Sequence, residues 1–167
     1  MNTTTENFYK SNVSKWIAGF YLVTILFLII LTIAIPLFTP MTTLEKSVFI
    51  IMFIIITLII ASILLKAYKL RFTIGSEKVT ISGLMKQEDI LVSDITDIKK
   101  IPIPFGFRLY GASFLGGRYY MPGIGKVSVA MSNFKDGVLI TTKKDQNFLI
   151  TPSNPMDFVE KLKRKKI

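Results

Sequence analysis

The amino-acid sequence predicts an α-helical membrane hairpin followed by a mostly-β domain. Three observations support this fold class. Two long uncharged segments lie close together in residues 1–65, short segments of alternating apolar and polar residues fill most of the remainder, and a charged amphipathic segment ends the chain. The 167 residues suffice for one domain of about 100 residues beside two helices, and are too few for two large domains.

The first predicted membrane helix covers residues 16–38, which are 23 residues without a charge. At about 1.5 Å per residue it is roughly 34 Å long, enough to cross a hydrocarbon core of about 30 Å. The second covers residues 47–65, 19 uncharged residues of roughly 28 Å by the same rise. A signal peptide is not favoured for residues 16–38, because it would have a shorter apolar core and a cleavage site. A buried soluble hairpin would need a larger domain around two helices that are apolar on every side.

The distribution of cations predicts the orientation of this hairpin. The cations at its cytoplasmic ends are Lys10, Lys15, Lys66, Lys69 and Arg71, and the extracytoplasmic loop, residues 39–46, carries one. We therefore expect a two-span protein of the cell membrane with a cytoplasmic tail, residues 1–15, and a cytoplasmic domain, residues 67–167. Neither span contains Asp, Glu, Lys or Arg, so an anchor is favoured over an ion pathway.

The mostly-β domain is predicted from alternating residues. Residues 68–74 alternate without a fault, and the turn at 75–77 leads into a second strand, residues 78–84. Residues 136–137 (Asp-Gly) are interpreted as a tight turn. Further strands are predicted near residues 90–92, 95–101, 127–131, 138–142 and 148–151. The total is six or seven strands.

A C-terminal helix is predicted from its capping residues. Ser153 and Asn154 precede Pro155, which suits the first helical position, and Phe158 and Leu162 fall on one face. Strands followed by one amphipathic helix indicate a small barrel or an orthogonal sandwich whose open end the helix covers.

Residues 108–116 (RLYGASFLG), 125–127 (GKV) and 150–159 (ITPSNPMDFV) resemble the bacterial pleckstrin-homology (PH)-like families, in particular members with a helical hairpin before one PH-like domain. The resemblance covers roughly residues 68–165. It implies a partly open barrel of about seven strands closed by a C-terminal helix, which binds lipids or proteins and is not catalytic. Eukaryotic PH domains hold phosphoinositides through a basic first hairpin loop. The loop here, residues 75–77, is acidic, so inositol-phosphate recognition is not implied.

Residues 104–125 are predicted to be an irregular connection and hold six of the ten glycines and six aromatic residues. Long irregular connections in small domains are often functional. We hypothesise that cations here pair with phosphate or carboxylate groups while tyrosines lie at headgroup level. The residues of this hypothetical ligand site are Arg108, Arg118, Tyr119, Tyr120 and Lys126. The alternative is structural, with glycines shaping a bulged barrel corner and aromatics filling the core.

A second set of cations is expected to attract anionic lipid at the membrane surface. Its members are Lys66, Lys69, Arg71, Lys161, Lys163, Arg164, Lys165 and Lys166. The alternative is an ordinary positive-inside tail whose cations favour the helix C-terminus. The net charge of about +9 from residue 66 onward also suits nucleic acid, but no helix-turn-helix, zinc-finger or RNA-recognition motif accompanies it.

Catalysis is not predicted. The chain has no Cys and no His, which excludes disulfides, thiolate nucleophiles, imidazole bases and the commonest zinc ligands. Dinucleotide and phosphate-loop patterns both fail around Gly125, and Asp94 and Asp97 would need a metal or a shaped cleft to act. No cofactor, metal or catalytic residue is predicted.

We therefore expect a membrane-anchored binding or scaffold protein that engages a protein partner or anionic lipid at the inner leaflet. The alternative is a small accessory subunit of a membrane transport or export complex, in which the hairpin packs against larger helices. Neither helix contains a GxxxG motif, and no oligomeric state is predicted.

Overall fold

The computed structural model describes residues 7–83, 87–113 and 116–166, without the side chains of residues 112 and 113. The chain forms two compact units. One is the helical unit, residues 15–65, and the other combines residues 1–14 with residues 66–167. The second unit is therefore built from segments on both sides of the first.

The two predicted long helices are confirmed as helices. α1 covers Lys15–Phe38 and α2 covers Thr43–Lys69, and both are long and apolar enough to cross a membrane. α2 begins before residue 47 because a capping box starts it: the Glu45 carboxylate accepts a hydrogen bond from the Thr42 backbone N–H at 2.8 Å, and the Thr42 hydroxyl accepts one from the Glu45 N–H at 3.3 Å. Most of their side chains are exposed, unlike those of a soluble core helix.

In the described residues, the remaining elements are ten strands, a 3₁₀ turn at Val92–Asp94 and one further helix. The strands are β1 Asn7–Lys10, β2 Arg71–Ile74, β3 Lys78–Ser82, β4 Glu88–Leu91, β5 Ile95–Pro102, β6 Phe107–Ser113, β7 Gly116–Met121, β8 Gly125–Ala130, β9 Asp136–Thr142 and β10 Asn147–Ile150, and the helix is α3 Pro155–Lys166. The sequence predicts fewer strands because β1, β6 and β7 lack a clear alternation.

These strands form two sheets with orders β1-β2-β3-β4 and β5-β9-β10-β8-β7-β6. Neighbouring strands are antiparallel, except β8 and β10, which are parallel. The predicted mostly-β domain with a C-terminal helix is confirmed, but its sheets do not close into a barrel. β4 and β6 each lie at the edge of a sheet.

β1 precedes the helical unit and pairs with the first strand that follows it. Asn7 lies opposite Ile74, and Lys10 lies opposite Arg71. The sequence predicts a tail here, and the structure instead has a strand. Four residues with a single buried side chain, Tyr9, are too few to produce a recognisable alternation. The segment before α1 is thus part of the β domain.

The core lies between the sheets and α3. Its fully buried side chains include Leu70, Phe72, Ile74, Val79, Val138, Ile140, Ile150, Phe158 and Leu162. The predicted apolar face of α3 is confirmed, and Asn154 caps this helix because its side-chain oxygen accepts a hydrogen bond from the Asp157 N–H at 3.2 Å.

The predicted turn at residues 136–137 is wrong, because both residues begin β9. The chain turns slightly earlier. The Lys135 N–H donates to the Asn133 side-chain oxygen at 3.1 Å, which stabilises a local turn there. An Asx turn and an Asp-Gly turn only three residues apart are hard to distinguish from sequence.

Candidate binding surface of the β6–β7 hairpin

The segment predicted as irregular, residues 104–125, is instead largely a β-hairpin of β6 and β7 that leads into β8. Two register shifts interrupt the pairing of β6 with β7. Gly117 has a φ of +128°, and a Cβ there would lie 2.4 Å from the Tyr110 carbonyl oxygen. The glycine is thus required by a close approach of the two strands in a bulged hairpin.

Strand alternation places the five predicted site residues on two faces of the hairpin. Tyr119 pairs with Arg108 on one side and with buried Val127 on the other. Its neighbour Tyr120 pairs with Lys126. Because successive side chains of a strand point to opposite faces, Tyr120 shares its face with Arg118, and Tyr119 does not. The structure therefore places the predicted residues on two surfaces and not one.

The first of these is the aromatic–basic face, which consists of Phe107, Tyr110, Arg118, Tyr120 and Lys126. Phe107 is 61 % exposed and Tyr120 is 48 % exposed, although both are large aromatic side chains. The Arg118 guanidinium lies 5.7 Å from the centre of the Tyr110 ring, a cation–π distance. Within the described residues, neither Arg118 nor Lys126 belongs to an ion pair.

Acidic side chains lie near the two cations of this face. Glu88, Asp89 and Asp145 line a shallow cavity together with Arg118 and Lys126. Asp89 accepts hydrogen bonds of 2.7 Å from Lys78 and from Thr80, and these hold the pKa of its carboxyl below the ordinary value. Glu88 accepts a hydrogen bond from the Ser128 hydroxyl at 3.2 Å. Lys78 offsets the charge of Asp89, and within the described residues none of these acids forms an ion pair with Arg118 or Lys126.

The second surface is the inner groove, a cavity of about 480 Å³ on the opposite face. It is lined by Ile103, Pro104, Phe105, Gly106, Arg108, Tyr119, Met121, Met131 and Phe134. Burial raises the pKa of the Tyr119 phenol, and the nearby charge of Arg108 partly opposes this shift. The sequence did not indicate Met131 or Phe134 as part of a site, because they come from the turn after β8 and reach the groove only through tertiary folding.

A family model described as Bacterial PH domain matches residues 70–166, which is more than half of the chain. The chain belongs to the bacterial PH domain family. The suspected resemblance is thereby confirmed, and β1, before the matched residues, adds a strand to this PH domain. No curated protein and no solved structure matches the chain. A PH domain beside two candidate membrane spans is consistent with a non-catalytic binding or scaffold role.

Most of the C-terminal cations of the PH domain contact other parts of it. The Lys165 ammonium donates to the Gly75 carbonyl oxygen at 2.9 Å, and the Lys166 ammonium donates to the Thr96 carbonyl oxygen at 2.6 Å. Lys161 pairs with Asp157 at 3.2 Å, and Arg164 pairs with Glu160. Lys163 is exposed, and its side chain has no ion pair or hydrogen bond in the described part of the chain. Lys161 and Arg164 thus pair within α3, while Lys165 and Lys166 contact the loop after β2 and strand β5.

The other cations predicted at the membrane surface, Lys66, Lys69 and Arg71, lie at the end of α2 and the start of β2. All three are exposed.

Asp97 forms an exposed ion pair with Lys99 at 3.4 Å. Among residues 7–83, 87–113 and 116–166, no group of three acidic side chains that could hold a metal ion is found.

Proposed function

We propose that this chain is a membrane-anchored, non-catalytic PH domain protein whose aromatic–basic face engages anionic lipid headgroups at the inner leaflet. The observation that carries the proposal is the exposure of two cations, Arg118 and Lys126, among exposed aromatic side chains on one face. Cations attract anionic headgroups, while Tyr and Phe favour the boundary between water and lipid. A protein partner for the same face is the alternative that the experiment below distinguishes.

The anchor in this proposal is the helical unit, with α1 and α2 crossing the bilayer. β1 precedes α1 and β2 follows α2, and the two strands pair in one sheet. A folded sheet lies on one side of a bilayer, so this pairing supports an even number of crossings. The exposed cations Lys66, Lys69 and Arg71 support the cytoplasmic side, because Lys and Arg accumulate in cytoplasmic segments next to a span.

A modest attraction is sufficient for an anchored domain. A cation close to an anionic surface contributes about 1 kcal/mol, so Arg118 and Lys126 together give roughly 2 kcal/mol. The anchor keeps the domain at a high effective concentration near its own membrane, and weak contacts then become occupied. Phe107 and Tyr120 add apolar contact area beside the cations.

The binding experiment needs a soluble form that keeps β1. The Ser11 hydroxyl donates to the Ala67 carbonyl oxygen at 2.7 Å, and the Ser11 N–H donates to the Leu70 carbonyl oxygen at 3.1 Å. The two ends to be joined are therefore close in space. A short Gly/Ser linker can replace residues 15–65, and circular dichroism with thermal unfolding checks that this linked PH domain folds.

The linked PH domain is cosedimented with neutral and with anionic vesicles over a salt series. We expect binding to anionic vesicles at low salt that weakens as salt is added. The double variant Arg118→Gln/Lys126→Gln should bind at least tenfold more weakly, since it loses roughly 2 kcal/mol of attraction. The matched control Lys99→Gln/Lys144→Gln removes the same charge from exposed positions elsewhere.

Equal losses in the two double variants would mean that net charge, and not the aromatic–basic face, determines binding. That result contradicts the proposal. If the folded domain ignores both kinds of vesicle, lipid recognition is excluded and a protein partner should be sought by cross-linking from position 120 in the full chain.

A further inference from the structure

The inner groove has the features of a site for an aliphatic chain. Its floor includes Met121 and Met131, which are buried, and its rim includes Phe105 and Phe134, which are 79 % and 57 % exposed. Flexible thioether side chains adapt to ligands of irregular shape. The volume of about 480 Å³ falls within the range of small-molecule sites, roughly 300–1,000 Å³.

The lining of the groove carries a positive charge. Arg108 is half-buried and is the one charged residue among those that line the groove in the described part of the chain. Arg108 already has an interaction partner. Because a guanidinium has five N–H donors in a planar fork, it can hold an anionic group as well. An occupant that fits this lining is apolar along most of its length and negative at one end.

We propose that the inner groove binds the aliphatic chain of an anionic amphiphile, with its carboxylate or phosphate group at Arg108. The source is either a lipid of the surrounding membrane or a free fatty acid. This site lies on the opposite face of the hairpin from the aromatic–basic face and takes a different part of the molecule. It therefore does not depend on the proposed function.

The test uses the full chain, reconstituted in neutral vesicles. One sample contains a trace of phosphatidylglycerol with a diazirine in its acyl chain, and a second contains diazirine-labelled palmitic acid. After irradiation and proteolysis, mass spectrometry locates the adducts. Labelling of residues 15–65 serves as the internal reference for lipid contact, because α1 and α2 are the candidate spans.

We expect adducts on peptides that contain Met121, Met131 or Phe134 with at least one of the two probes. Labelling by palmitic acid alone identifies the free acid as the source, and labelling by phosphatidylglycerol identifies a membrane lipid. Adducts confined to residues 15–65 with both probes would overturn the proposal. A cross-link from the groove to another polypeptide, in place of a probe adduct, would also overturn it.

Two variants test the recognition itself. Arg108→Gln removes the positive charge, and Phe134→Glu places a negative charge on an exposed rim position, which should not disturb folding. Each should lower groove labelling at least fivefold relative to labelling of the helices. The controls are Lys144→Gln and Phe8→Glu, which make the same changes at exposed positions outside the groove. Groove labelling that is insensitive to both test variants would contradict the proposal.

Discussion

The Tyr9 phenol donates a hydrogen bond of 2.6 Å to the Asp157 carboxylate and so joins β1 to α3. The Tyr9 ring also meets Phe158 edge-on at 5.0 Å, and the Lys161 ammonium lies 5.5 Å from its centre. A further bond runs from the Ser153 N–H to the Lys10 carbonyl oxygen at 2.9 Å. Residues before α1 are thus held by residues at the far end of the chain, and the PH domain includes both.

Replacing Tyr9 with Phe should destabilise the PH domain. The ring is buried and keeps its packing in the variant, so the change removes the hydrogen bond to a charged acceptor. We expect the melting temperature of the linked PH domain to fall by roughly 4–8 °C, measured by circular dichroism. Tyr68→Phe is the control, because Tyr68 is exposed. Similar melting temperatures for both variants would show that the Tyr9 bond does not stabilise the fold.

The same pair predicts how stability depends on pH. Hydrogen bonds from Tyr9 and Lys161 hold the pKa of Asp157 below its ordinary value of 3.8, so this stabilisation is present above pH 3.8 and is lost as pH falls through the folded pKa. Burial and the adjacent Asp157 raise the pKa of Tyr9 above its ordinary value of 10.0, so stability falls as pH rises beyond 10.0. In the Tyr9→Phe variant, the free energy of unfolding measured by chemical denaturation should depend less on pH in both the acidic and the alkaline range. Parallel curves for the two proteins would contradict this assignment.

Gly117→Ala should disrupt the β6–β7 hairpin. The substitution requires a positive φ for alanine and brings a methyl group 2.4 Å from the Tyr110 carbonyl oxygen. We expect a loss of more than about 1–3 kcal/mol, the usual cost of the backbone conformation alone. Gly123→Ala isolates that cost, because Gly123 has a φ of +79° and a methyl group added there would have no atom within 4 Å. Denaturant unfolding of the linked PH domain measures the loss of stability in both variants. Equal losses would show that the contact with the Tyr110 carbonyl oxygen adds no cost.

A buried hydrogen-bonded pair stabilises the segment after β8. The Ser132 N–H donates to the Thr151 hydroxyl oxygen at 2.8 Å, and the two hydroxyl oxygens lie 3.1 Å apart. Thr151→Val leaves the Ser132 groups buried without their partner and should cost about 1–3 kcal/mol. Thr96→Val removes an exposed hydroxyl and should change stability by no more than about 0.5 kcal/mol. Equal losses of stability for Thr151→Val and Thr96→Val in denaturant unfolding would contradict the claim that the buried position of Thr151 makes its hydrogen bonds matter.

The three helices were predictable because their signals are local. Uncharged length indicated α1 and α2, and a cap followed by Pro155 indicated α3. β1 was not predictable, because its four residues become a strand only by pairing with β2, which follows α1 and α2 in the sequence. Its contact with Asp157 is equally remote in sequence.

The candidate site was predictable in composition but not in arrangement. The sequence indicated that Arg118, Tyr119 and Tyr120 lie together, yet their faces depend on the pairing of β7 with β8. Register shifts and glycines in the hairpin remove the alternation that would have indicated those faces. The contacts of Lys165 and Lys166 with backbone carbonyl groups likewise arise only in the folded domain.

The most direct test asks whether the aromatic–basic face touches the membrane of its own anchor. Trp16 is the one tryptophan of the chain, so Trp16→Phe/Tyr120→Trp provides a single fluorescent reporter on this face in the full protein. Reconstituted with brominated lipids, it should be quenched and blue-shifted in anionic but not in neutral vesicles, and Arg118→Gln/Lys126→Gln should abolish the difference. Identical fluorescence in anionic and neutral vesicles would contradict the proposed function.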